Sequence, residues 1–291
     1  IADCVGIYGS EVDKYLYLLK IVILRSINNT KELNLLLSEI NEKNMFKSDY
    51  TNGFYLRLAE AYDTRENAII KVEESIRYFE DYYNDPIQAA KSKLSFSFLL
   101  AINGKTDKAK NVIADVEKIL AKSRRNICIF KVNNAALMLL DNNFSEAILD
   151  LLDSAELYTN SIFNKTAIYI NKLVYYIENR NQEKGSYCIT KLLSCLNLEK
   201  DKHMHAISYY IDSNFWFLNV FYRDICSNND KADRFYKLAE EKKEYCNALK
   251  LRFKPEINSN KYDFLLSKKW HVCFLSYWDI DIDKLLDYYE Y

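Results

Sequence analysis

Apolar and polar residues in this chain follow a helical period nested inside a longer one. Between Leu94 and Leu196 the pattern repeats without a gap at a step of 38 residues. In the first helix of each unit Leu94, Val132 and Ile170 coincide, as do Phe98, Ala136 and Val174, and then Ala101, Leu139 and Ile177. Ser97, Ala135 and Leu173 fall between them, with Ser97 the polar member. These four positions run i, i+3, i+4, i+7, which is one face of an α-helix. In the second helix Ala109, Ala147 and Gly185 coincide, followed by Ile113, Leu151 and Ile189, and by Ile119, Leu157 and Cys195. Small residues in the first turn of that helix are expected where two paired helices approach most closely. A helix period inside a fixed longer period predicts a helical solenoid.

Polar punctuation separates the apolar stretches. It falls at Asn28-Asn29-Thr30, Asp63-Thr64, Asn103-Gly104-Lys105, Asp141-Asn142-Asn143, Asn179-Arg180-Asn181 and Ser227-Asn228-Asn229-Asp230. Asn and Gly tolerate the left-handed backbone that ends a helix, and Asn, Asp or Thr can cap the next one. Asn143 and Glu146 have the spacing of a capping box. Outside the central units the steps lengthen or shorten. Leu33 and Ala68 take the second-helix position upstream, and Ala232 takes it downstream, followed by Phe235, Tyr236 and Ala239. The pattern predicts an all-α fold, an α-solenoid of about six antiparallel helix pairs over residues 1–250. Residues 251–291, with Trp270, Phe274, Tyr277 and Trp278, are expected to cap it.

Composition agrees. The chain has 291 residues with 5 Gly and 2 Pro, too few for many sheets or irregular loops. Net charge is -1, which argues against direct nucleic-acid binding through a basic face. Lys122, Arg124 and Arg125 form a local basic turn, read as a solvated connection between helices. Seven cysteines, odd in number and without a CxxC, suit a reducing cytoplasm rather than a disulfide framework. No apolar run of membrane-spanning length and no signal peptide is visible. The chain starts at Ile1 rather than Met, and on that ground a larger parent protein is expected.

Asp141-Asn142-Asn143-Phe144-Ser145-Glu146-Ala147-Ile148, continuing to Ala155-Glu156-Leu157, resembles the second helix of a tetratricopeptide repeat, and so does the segment from Asn103 to Lys110. The resemblance covers roughly residues 10–250, with departures: the step is longer, Leu173 replaces a small residue of the first helix, and no Pro closes the units. It implies a tetratricopeptide-like superhelix that binds a protein or peptide along its concave face and is not itself an enzyme. The low-Gly, Asn/Lys/Ile-rich character is similar to the C-terminal sensor arrays of large prokaryotic defence proteins, which carry a STAND-type NTPase or a sirtuin-like NAD hydrolase. That implies a phage protein as ligand and an effector domain elsewhere in the parent, through which a homo-oligomer could form. The alternative is the peptide-pheromone-binding repeat domain of a bacterial transcriptional regulator.

No catalytic residue, metal site or cofactor is predicted. Lys105-Thr106 after Gly104 lacks the earlier Gly and the preceding strand of a phosphate-binding loop. His203 and His205 are two apart on a helical stretch and face different ways. Asp279, Asp281, Asp283 and Glu290 imitate a calcium loop, but Lys284 holds the place of its turn glycine. His271 and Cys273 lie among aromatics without a catalytic signature. The 24 tyrosines either fill space between helices or meet a partner. On the second reading the binding residues are Asn134, Asn171, Tyr175, Tyr209, Tyr210 and Trp216, with Asn133 beside them able to bond a peptide backbone.

Overall fold

The computed structural model describes residues 10–26, 29–46, 50–59, 65–200, 218–219, 221–241 and 274–275, and every regular element among them is helical. The all-α expectation therefore holds for the described residues. By packing density the chain divides into two units. One comprises Ile1–Phe96 with Ser276–Tyr291, and the other Ser97–Leu275.

The first unit holds α1 (Ser10–Ser26), α2 (Thr30–Lys43), α3 (Tyr50–Ala59), α4 (Arg65–Arg77) and a π-helical turn at Tyr78–Tyr82. It also holds most of α5 (Pro86–Ile102), within which the division falls. Helix α1 packs on α2 and α3, and α3 packs on α4. Leu18, Ile21, Leu33, Ile40, Phe54, Leu58 and Phe79 form the core. Tyr17 and Tyr55 bury their rings there and keep their hydroxyls bonded, to Glu39 Oε1 at 2.5 Å and Asn41 Oδ1 at 2.7 Å. Buried Arg57 lies over the rings of Phe54 and Phe79 and donates to Gln88 Oε1 at 3.0 Å.

The second unit holds α6 (Thr106–Ile113), α7 (Val116–Leu120), α8 (Arg124–Leu140), α9 (Ala147–Leu157), α10 (Ile162–Glu178), α11 (Gln182–Lys200), a π-helical turn at Phe221–Ile225 and α12 (Asn229–Glu241). Helix α8 packs on α9, α10 on α11, and α10 also on α8 and α9.

The 38-residue step is strict in the first helices, and their ends explain why. Helices α5, α8 and α10 each have 17 residues, each displaced by one step. Asp85, Ser123 and Ser161 cap them in the same register. Asp85 Oδ1 accepts the N–H groups of Ile87 and Gln88 at 3.1 Å, ahead of Pro86 in the first helical position. Ser123 and Ser161 accept from Asn126 and Asn164 at 3.4 Å. At the other end Gly104, Asn142 and Arg180 take the left-handed conformation, with φ of 76°, 57° and 51°. The next N–H in each case reaches back to close the helix, Lys105 to Leu100 O, Asn143 to Met138 O and Asn181 to Tyr176 O, at 2.8–3.0 Å. The predicted punctuation at residues 103–105, 141–143 and 179–181 thus marks real helix ends, while that at Asp63-Thr64 lies outside the described residues.

The second helices are less regular. The first is broken at Ala114–Asp115 into α6 and α7. In the middle unit the expected close approach at Ala147 is not found: Ala147 is exposed, and Ile148, Leu152 and Ala155 are buried instead. Nor does Asn143 form a capping box, because α9 begins at Ala147 behind Glu146, which makes no side-chain cap bond. The connection from α8 runs through Glu146, whereas α6 and α11 start directly after Lys105 and Asn181. A later start with a one-residue slip turns the buried face by about 100°. Leu157 is carried to 77% exposure, where the register from Ile119 and Cys195 expected burial. Ala109 and Gly185 keep the small-residue position and are buried.

Candidate functional site

Helix α8 is capped by Ser123 at one end and closed by Asn142 at the other, which fixes the rotation of everything between. Val132, Ala135, Ala136 and Leu139 are buried on its apolar face. Asn133 follows Val132 and is 1% exposed, so its amide has left water and needs partners. It finds both on one residue, 142 positions away. Asn133 Nδ2 donates to Leu275 O at 2.9 Å, and Asn133 Oδ1 accepts the Leu275 N–H at 2.8 Å. Having a donor and an acceptor as partners fixes which way the amide points. Beside it, the ring of Phe274 lies 4.4 Å from that of Phe98, tilted by 36°. Phe274 and Leu275 are both buried.

The other residues expected to meet a partner separate. Asn134 is half-buried in the same helix. Asn171 takes the place of Asn133 one step later, in α10, and is 0% exposed; Tyr175 is also buried, within 5.5 Å of the Tyr176 ring. Tyr209, Tyr210 and Trp216 lie outside the described residues, as do the candidate histidines and the acidic run from Asp279. The structure brings Asn133 and Phe98 together around Phe274–Leu275, a pairing with no local sequence signal.

Between α9 and α10 lies a polar cluster that the sequence reading missed. Lys172 has 9% of its side chain exposed and reaches Asp153 Oδ1 and Glu156 Oε2, each at 2.7 Å. Tyr169 donates its hydroxyl to Glu156 Oε1, and Lys172 Nζ stands 5.5 Å over the Tyr169 ring. Burial alone would raise the Glu156 carboxyl, but hydrogen bonds from Lys172 and Tyr169 outweigh it and hold the group below the usual carboxylate range. Burial likewise works against the Lys172 charge, and the bonds to Asp153 and Glu156 overcome it and raise the amine. The Tyr169 hydroxyl is pushed well up, by burial first and then by its bond to Glu156. The available signal was a charged residue inside the apolar run from Ala167 to Val174.

The described cysteines suit packing rather than nucleophilic chemistry. Burial pushes the Cys128 thiol up to about 11 and the Cys188 thiol up to about 12, so both stay protonated near neutrality. Among the described residues no group of three or more His, Cys, Asp or Glu side chains could hold a metal ion. No helix among them is long and apolar enough to cross a membrane. In the basic turn, Arg124 donates to Leu157 O at 3.1 Å, which satisfies a carbonyl at the end of α9.

This geometry holds the non-helical pair Phe274–Leu275 against its neighbours, the Leu275 backbone through Asn133 and the Phe274 ring through Phe98. No family model, curated protein or solved structure matches the chain.

Proposed function

We propose that this chain is a protein- or peptide-binding array, a tetratricopeptide-like solenoid of antiparallel helix pairs that serves as sensor or scaffold within a larger cytoplasmic protein. The reading is supported above all by the bidentate bond between the buried Asn133 amide and the non-helical backbone of Leu275. A helix array that presents side-chain amides to peptide groups recognises a polypeptide whatever its sequence and gains specificity from flanking rings. The shared register of α8 and α10 places a second amide, Asn171, one 38-residue step from Asn133. In this reading the bound partner is a phage protein, and small changes in the angle between repeats relay its capture to an effector domain. Immobilised chain exposed to extracts of infected cells should retain a phage-encoded protein. Substituting Asn134→Lys on the half-buried edge of α8 should abolish retention. Recovery of no phage protein from a panel of infections would sink the sensor reading.

A second reading, a receptor for a short signalling peptide, is favoured by the same amide, since one residue's backbone is all that Asn133 requires. Titration with short linear peptides separates the two: a peptide receptor binds one of them tightly, and a large-protein sensor binds none.

A further inference from the structure

Most buried polar contacts here join neighbouring helices and do nothing beyond holding them. The Asn133–Leu275 pair is different, because it joins a helix to non-helical backbone far away in sequence. Both peptide groups of Leu275 that point toward α8 are taken, one as donor and one as acceptor, as by a neighbouring strand in a sheet. A carboxamide is the side chain that offers one of each in a plane. Such a contact accepts any residue except Pro, which has no N–H. Selectivity must come from beside it, and there Phe98 meets the Phe274 ring at 4.4 Å. Leu275 itself is 2% exposed, so an aliphatic side chain is enclosed at that place.

We propose that Asn133 and Phe98 form a docking site for an extended segment with an aromatic residue followed by an aliphatic one, and that Phe274–Leu275 is its built-in occupant. This rests on the reading of the chain as a polypeptide-binding array. An occupant on the same chain competes at an effective concentration on the order of millimolar. An incoming segment therefore binds weakly until the chain's own dipeptide leaves, and vacating the site raises its affinity.

The test uses the full chain and a fluorescent synthetic peptide with the sequence of residues 270–280, followed by anisotropy. Leu275→Pro removes the N–H that Asn133 accepts and empties the site, so this variant should bind the peptide at least about tenfold more tightly than the native chain. Adding Asn133→Ala to Leu275→Pro should return the affinity to the native level or below. Equal affinity of the native and Leu275→Pro chains would overturn the proposal, as would an Asn133→Ala change without effect. Should Leu275→Pro not fold, Phe274→Ala keeps every backbone bond and weakens the occupant only at the ring, so a smaller gain in the same direction is expected, and no gain would overturn the proposal. Hydrogen exchange on the native chain gives an independent reading: the Leu275 amide is protected alone and loses protection under saturating peptide, and protection unchanged by peptide overturns the proposal. A phage protein retained equally by native and Leu275→Pro chains would leave the sensor reading standing and remove the docking site. Tight peptide binding without any captured partner would do the reverse.

Discussion

Phe221 lies against Gly185 with no room for a methyl group between them: a Cβ added to the glycine would stand 2.5 Å from Phe221 Cε2 and 2.8 Å from its Cζ. Phe221 opens the π-helical turn Phe221–Ile225, is fully buried, and has its ring 5.3 Å from that of Tyr222, edge to face. The first unit repeats the device, with Gly53 under Phe79, the second residue of the turn Tyr78–Tyr82. A glycine inside a helix forgoes stability, and here the loss admits an aromatic ring from the neighbouring turn.

Gly185→Ala should therefore destabilise the protein although it improves helix propensity. The propensity gain is about 1 kcal/mol, against roughly 1–3 kcal/mol for overpacking a buried ring. A net loss of up to about 2 kcal/mol is expected in thermal or denaturant unfolding. Phe221→Leu placed in the Gly185→Ala background should recover part of it. A variant more stable than the native chain would mean that the ring moves aside freely.

Arg180 holds a left-handed position that Gly104 fills two 38-residue steps upstream. An L residue with a side chain is strained there by roughly 1–2 kcal/mol, part of which glycine returns through its freer unfolded state. Arg180→Gly should stabilise the chain by about 0.5–1 kcal/mol, and Gly104→Ala should cost about as much. Nothing lies within 4 Å of a Cβ built on Gly104, so the second effect isolates the backbone. Opposite signs in paired melts check both; a shared sign would show that the side chains, not φ, decide.

The capping residues should rank by geometry. Asp85 accepts two N–H groups at 3.1 Å, and Ser123 and Ser161 accept one each at 3.4 Å. Asp85→Ala is expected to cost about 1–2 kcal/mol and each serine to alanine change about 0.5 kcal/mol. Equal losses at the three sites in urea unfolding would contradict the ranking.

The first helices were legible in the sequence because their 38-residue register is strict, as at Leu94, Val132 and Ile170, and because Gly104 and Asn142 are residues that left-handed ends favour. Helix α9 was not. It reads Ala147-Ile148-Leu149-Asp150-Leu151-Leu152, so two faces one residue apart are both apolar, and periodicity cannot choose. The choice is made by the longer connection after Leu140 and by what α8 and α10 present, which are facts of tertiary packing. Asn133 was legible as a polar residue on a helix able to bond a backbone. Its partner was not, because Leu275 is 142 residues distant and a backbone pair leaves no mark on either side chain's identity.

The cluster of Lys172, Asp153, Glu156 and Tyr169 ties α9 to α10 in a pH-dependent way, and the sign follows from the two shifts. Glu156 is held below the usual carboxylate range, so its contribution is present above the unfolded value and is lost as pH falls through the folded one. Lys172 is raised, so its contribution is present below the ordinary lysine value and is lost only as pH climbs through the folded one, above about 10.4. Between these limits, which include neutral pH, both contribute. Glu156→Gln should lower the unfolding temperature at pH 7, and the gap from the native chain should close as pH falls below about 4, where the native carboxyl protonates as well. Lys172→Met keeps the stem but leaves two carboxylates without their cation. Its loss should likewise be greatest near neutrality, shrink in acid and shrink again in strong alkali, where the native amine is neutral. Thermal melts of the three chains across the range check this, and a gap that stays constant from pH 7 to about pH 3 would show that the cluster holds the helices by packing, not by charge.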